Sequence, residues 1–410
     1  MQSLNEKITL KDIIKNTTPN GWLLLLNPVI YFIFSRQRDL NNYSAIDTSA
    51  IIFILYSLVA FIMGFKVIFR TNSEFGKDII KSSPIVVFII YTVLCFVSAL
   101  WSVNFKLTAY RAFECLAMTL LIVSVIQQLF ETGDCRYVIY WSLFLCTWYV
   151  LWDILRSFQW ATNIWEIFQA SQMFATTFFF MALYTTPWRW YNWLIFVMSI
   201  FSMSTVAYIG MAIGSISAFF NKGKTKFIAL AGAFILLIAV LAVGPYTILK
   251  DTVFNDKESI SINETSGRDY LLEVTLKTLE ENPWGQGFFA AEPYVLYKAH
   301  FGAISAHNSL SSAAMGMGYP GIAIFAIFLI AMWVVTFSKY IDSRFRAILI
   351  GCMCVAFLHC IGNPSVGTRV YGAWIPGMYI FVLTCGFYIF GKYYENKESD
   401  EPSDLNICSD

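Results

Sequence analysis

Residues 85–103 read IVVFIIYTVLCFVSALWSV, an apolar run without a single Asp, Glu, Lys or Arg. A helix rises about 1.5 Å per residue, so roughly 20 such residues cross the ~30 Å hydrocarbon core of a bilayer. The run is continuous rather than alternating. Lipid offers backbone groups no partner, so a spanning segment is either a helix or part of a closed barrel, and the missing alternation selects the helix. Similar runs lie at 21–35, 51–69, 112–130, 138–155, 169–186, 192–203, 206–220, 227–247, 309–337, 345–362 and 371–391. The expected fold is an all-α polytopic membrane protein of about 12 transmembrane helices, with one large outer loop between spans 9 and 10.

Composition agrees: 57% of residues are hydrophobic and 13% charged, about half the charged share of an average soluble domain. The net charge of +1 gives no electrostatic footprint for nucleic acid. Residues 1–20 are polar, with Lys7, Lys11 and Lys15 and no small-residue cleavage site after the first apolar run, which reads as an uncleaved signal anchor. Most of the nine cysteines fall inside spans and read as small apolar packing residues.

Basic residues set the orientation. With the N-terminus inside, 17 of the 28 Lys and Arg fall on the cytoplasmic side, six in all the short outer loops together, and five in the large loop. Long loops translocate largely regardless of charge, so the contrast that counts is 17 against six. The layout is then a cytoplasmic segment 1–20, spans 1–9 in 21–247, an outer loop 248–308, spans 10–12 in 309–391, and a cytoplasmic tail 392–410. Both termini are cytoplasmic, and the acidic tail from Glu395 on is expected to be disordered.

Within the loop, Leu272, Leu276 and Leu279 recur at i, i+4 and i+7, which predicts a short amphipathic helix over Arg268–Glu281 at the membrane surface. Ser266 is a candidate N-cap with Asp269 three residues on, and Asn282-Pro283-Trp284-Gly285 stops the helix. The segment after Pro283 reads as an irregular loop.

Two patterns could carry chemistry. In the first, Arg268 and Leu272 lie one turn apart on one face, so Leu272 can anchor in the apolar boundary while Arg268 projects toward the surface. In the second, His307-Asn308 is followed after nine residues by Gly318-Tyr319-Pro320-Gly321. His307 stands where the loop enters the tenth span. Gly318 and Gly321 predict a smooth, close-packing face, and Pro320 a kink. Each has a plainer alternative: His307 as a helix cap, Arg268 as a surface residue near lipid phosphates, and Arg111 with Glu114 (i, i+3) as a structural ion pair. His300 reads as an ordinary loop residue and His359 as a packing residue.

These patterns resemble the Arg-x3-Leu and His-[Asn/Ser/Gln]-x9-Gly-x2-[Gly/Thr/Tyr] signatures of the O-antigen ligase family and its relatives among the O-antigen and exopolysaccharide polymerases. The stretch from Gly267-Arg268 through Glu281 to Phe288 is similar to the family's run toward its His motif, and Trp101-Ser102-Val103-Asn104 with Thr108 to Arg111 to its approach to the fourth span. One departure stands out. Many members carry a Ser/Thr-Arg pair near the seventh and eighth spans, where this chain has Met203-Ser204-Thr205-Val206-Ala207. Either Arg111 supplies that charge or the donor is handled differently.

The resemblance implies a bacterial inner-membrane transferase acting on the periplasmic face. Its donor would be a glycan on undecaprenyl pyrophosphate, and its acceptor lipid A–core for a ligase or a growing polysaccharide for a polymerase. His307 would be the catalytic base, Arg268 and Arg111 the pyrophosphate ligands, and Asn308, Leu272, Gly318 and Gly321 supporting residues. No cofactor and no metal are implied. The residue chemistry fits: Arg binds phosphate oxygens as a planar fork, and His is the ordinary base for a hydroxyl at neutral pH. The rival from another class is a polysaccharide transporter or flippase. Such a protein should carry ionisable residues near the bilayer midplane and broken, repeated helices.

Overall fold

A computed structural model describes residues 8–34, 47–70, 74–158, 268–299, 308–362, 366–367 and 374–400, and among these it is helical without strands. The first helix, α1 (Leu10–Asn16), occupies the segment read as merely polar. Thr9 and Asp12 form a capping box there, and Ile13 is buried. Next come α2 (Pro19–Phe34), α3 (Thr48–Arg70), α4 (Phe75–Lys81) and α5 (Ser83–Val97), the last closed by a 3-10 turn at Ser98–Trp101. After the Asn104 cap, α6 (Phe105–Glu131) and α7 (Cys135–Ser157) follow.

Among the described residues, six helices are long and apolar enough to cross a membrane: α3, α5 with its 3-10 turn, α6, α7, α10 (Ser309–Thr336) and the Ile375–Tyr393 part of α12 (Trp374–Asp400). α2 and the centre of α11 (Ser343–Gly362) are shorter apolar helices. These eight fall on eight of the twelve predicted runs. The runs at 169–186, 192–203, 206–220 and 227–247, and the Ser204 region, lie outside the described residues. The protein is thus multi-pass and all-helical where described. One expectation fails: the tail is helical from Glu395 to Asp400, because adding a residue to a formed helix costs little compared with nucleating one.

The centre of the bundle is α6. Within its apolar stretch 83% is buried, against 28% for α3, which flanks it. The two backbones nearly touch, since a Cβ on Gly64 would lie 2.7 Å from the Leu120 carbonyl carbon. Small residues permit such packing where no hydrophobic force separates helix from lipid. Polar side chains add links between helices: Asn20 to Ser124 at 2.6 Å, Thr18 to Gln128 at 2.6 Å, and Ser142 to Tyr379 at 2.8 Å. Rings join α5 to α10, with Phe88 and Phe328 centroids 4.9 Å apart.

In the segment read as the large outer loop, α8 (Arg268–Glu281) forms where the periodicity predicts it. Of the predicted apolar stripe, Leu272 and Leu276 lie on the face turned away from the bundle and Leu279 packs inward. Leu271, Thr275, Thr278 and Leu279 are buried, whereas Leu272 and Leu276 are exposed. A second helix, α9 (Ala291–Lys298), replaces the predicted irregular loop. Pro293 had argued against it, but proline in a first turn removes an amide that has no intrahelical partner anyway.

Candidate active site at a broken helix

The long helix α10 is interrupted. Gly318 has φ 63° and ψ −150°, a conformation essentially reserved for glycine. The kink is therefore centred on Gly318, two residues before the proline expected to cause it. Pro320 contributes by omission. In an unbroken helix, the amides of residues 319 and 320 would bond the carbonyls of Met315 and Gly316. Residue 320 has no N–H, and Tyr319 N donates instead to Pro283 O at 3.0 Å.

The two released carbonyls are both taken. Gln286 N donates to Met315 O at 2.9 Å, and Gly287 N to Gly316 O at 2.8 Å. Three backbone bonds thus stitch 283–287 into the break, each contributing about 0.5–1.5 kcal/mol net. The approach leaves no room for side chains: a Cβ on Gly318 would lie 1.9 Å from Pro283 O, and one on Gly285 2.5 Å from the Gly316 backbone. Gly321 does not share that face. A Cβ there would meet Met317 and the Ala313 carbonyl of its own helix, at 2.6 and 2.8 Å. The predicted smooth Gly318–Gly321 face is therefore two separate close approaches.

The same turn is held from its other side by the α5–α6 junction. Val103 N donates to Gln286 O at 3.0 Å, and Trp101 Nε1 to Trp284 O at 3.0 Å. Phe288 N donates to Ser98 Oγ at 3.0 Å, and Thr108 Oγ1 to Phe288 O at 2.9 Å. The Trp101–Asn104 stretch and the 281–288 stretch, both singled out from sequence, are direct contacts.

Arg111 is brought against this turn. Its guanidinium lies 4.6 Å from the Phe289 ring centroid, a favourable cation–π distance. Phe289 itself has φ 61°, which is strained for an aromatic residue. Arg111 also pairs with Glu114 at 2.6 Å, and the Glu114 side chain is 6% exposed. The structural ion pair is therefore real, and any ligand of Arg111 shares the guanidinium with Glu114.

The loop helices complete the arrangement. Leu271 of α8, Ala291, Val295 and Leu296 of α9, and Met315 of α10 form one small buried cluster, so the helix opened by Arg268 rests on the broken helix. Asn308 caps α10, its side chain accepting from Leu310 N at 2.8 Å and Ser311 N at 3.3 Å. His307 precedes this cap; it and His300 lie outside the described residues. Arg268 opens α8, and Leu272 is exposed one turn on. Sequence reasoning missed Glu292 and Ser312. The buried Glu292 carboxylate accepts from Ser312 Oγ at 2.8 Å, and nothing in the sequence marked either residue.

Residues 190–326 match the family model described as O-antigen ligase. That similarity takes in both motifs, the stitched turn and the break in α10, and it falls on the family that the motifs resemble. It stops short of Arg111 and of Trp101–Asn104, which join the O-antigen-ligase-like region through contacts alone. No curated protein matches the chain.

Proposed function

We propose that this protein is a membrane glycan transferase of the O-antigen ligase type. It moves a glycan from undecaprenyl pyrophosphate to a hydroxyl of lipid A–core on the periplasmic face of a bacterial inner membrane, with both termini cytoplasmic. The supporting observation is the stitched break: three backbone bonds from 283–287 to α10 join the helix opened by Arg268 to the helix whose cap follows His307. Two short motifs far apart in sequence thereby belong to one structural unit, within the region similar to the ligase family.

In the proposed reaction the imidazole of His307 takes the proton of the acceptor hydroxyl. The hydroxyl oxygen forms a bond to the anomeric carbon, and the bond from that carbon to the pyrophosphate oxygen breaks. The carrier pyrophosphate leaves with the electron pair. Arg268, with Arg111 beside Phe289, stabilises the charge that develops on it. Fixed donors at a water-poor interface commonly contribute the largest part of such catalysis. A positioned base adds about 10²–10⁴-fold. The reading is metal-independent, so transfer by purified protein should persist in chelator. Restoration by Mg²⁺ or Mn²⁺ after a loss would refute that part.

Glycan analysis of a deletion strain tests the assignment. A ligase predicts lipopolysaccharide without O-chains and polymer accumulating on the lipid carrier. Single repeat units on core would instead assign polymerase activity to the same site.

A further inference from the structure

We infer that Glu292 is a positioning residue for the transfer, locking the first turn of α10 through Ser312. The inference rests on the proposed role of His307, the residue that directly precedes that turn. Glu292 is 3% exposed, and a carboxylate is costly to bury. Packing alone does not call for it: Leu271, Ala291, Val295, Leu296 and Met315 already supply an apolar cluster, into which an aliphatic side chain would extend at lower cost. What the carboxylate adds is directional. Ser312 Oγ donates its one proton to Glu292 Oε1 at 2.8 Å, while Ser312 N donates to the Asn308 carbonyl at 3.0 Å.

Ser312 therefore ties Glu292 of α9 to the capping residue of α10. Asn308 in turn spends its side chain on the Leu310 and Ser311 amides. From the opposite side, Val366 N donates to Ser309 Oγ at 3.4 Å. The whole turn is pinned, and a negative charge beside a helix N-terminus is favoured by the helix dipole. Residues that set the angle of a reacting group act mainly on turnover, since misplacement of about 1 Å can cost ~100-fold.

The test uses full-length protein in nanodiscs, with lipid-linked glycan extracted from the host's membranes as donor and host lipid A–core as acceptor. Release of carrier pyrophosphate gives kcat and KM, and thermal unfolding is followed in parallel. Glu292→Leu should keep its melting temperature and its KM within about twofold while kcat falls about 10–100-fold. Glu292→Gln, whose amide oxygen still accepts from Ser312, should return to within about threefold of the parent kcat. Ser312→Ala should resemble Glu292→Leu, and it serves as the second variant where the leucine fails to fold.

Parent kcat in Glu292→Leu, or in Ser312→Ala where the leucine variant does not fold, overturns the inference. So does a fall in kcat that tracks the melting temperature across all three variants. His307→Ala is assayed alongside. If it is inactive while Glu292→Leu is active, only this inference fails; if it is fully active, the base assignment fails.

Discussion

The amide of Gly287 donates to the carbonyl of Gly316 at 2.8 Å, filling a helical hydrogen bond that Pro320 cannot make. One proline thus opens an acceptor, and a residue about 30 positions earlier in the chain closes it. Beside this bond, Gln286 satisfies Met315, and Tyr319 satisfies Pro283. The result is a rigid three-way joint between the α5–α6 junction, the turn before α9, and α10.

Gly318 is the position where this joint tolerates least. Gly318→Ala places a methyl 1.9 Å from Pro283 O at φ 63°, so steric collision adds to a backbone cost of about 1–3 kcal/mol. Transfer should be lost, and the melting temperature in detergent should drop markedly. Gly133 is the control: its φ is 70°, with nothing within 4 Å of an added Cβ. Gly133→Ala should cost only about 1–2 kcal/mol and leave transfer intact. Equal behaviour of the two variants would mean that the stitched break does not matter.

Arg111 and Glu114 separate ligand binding from ion pairing. If Arg111 stabilises the leaving pyrophosphate, Arg111→Ala should lower kcat about 10²–10³-fold, and Arg111→Lys should recover only part, because an ammonium lacks the planar fork. Glu114→Gln breaks the same pair but keeps the guanidinium, so its kcat should fall far less. Equal losses in Arg111→Ala and Glu114→Gln, scaling with folded protein, would leave Arg111 a structural residue.

Topology is checked with reporter fusions active only outside the cytoplasm. Fusion at Lys298, the end of α9, should be active, and fusions at Lys224 and Lys397 inactive. An active reporter at Lys224 would reverse the orientation and take the site off the periplasmic face.

Much of this was legible in the sequence, for physical reasons. The apolar run of 85–103 and the seven other runs among the described residues appear as helices because length and continuity leave lipid-embedded backbone no other choice. The α8 helix and its stop at Asn282–Gly285 follow from periodicity and turn chemistry. The α9 helix was hidden because Pro293 reads as a breaker unless its place in a first turn is known. The buried face of α8 was not read from the sequence, because Thr275 and Thr278 pack there only after returning their hydroxyls to the backbone at Leu271 and Val274, while Leu272 and Leu276 are exposed, as an anchor in the apolar boundary requires. The kink was placed at Pro320, since sequence shows which amide is missing but not which glycine turns. Glu292 and Ser312 left no trace, because their pairing joins residues 20 apart without periodicity or motif.

The most direct measurement is transfer by His307 and Arg268 variants that express at normal levels. His307→Ala and Arg268→Ala should each nearly abolish release of carrier pyrophosphate, and the double variant should be no worse than either single one, as for residues serving one transition state. His300→Ala and His359→Ala should keep substantial activity. His307→Asn decides the matter, because Asn308 and not residue 307 caps α10, so the helix start is kept while an asparagine amide cannot take a proton at neutral pH. The account predicts that this variant is folded and inactive; full activity in it would contradict the assignment of His307 as the base.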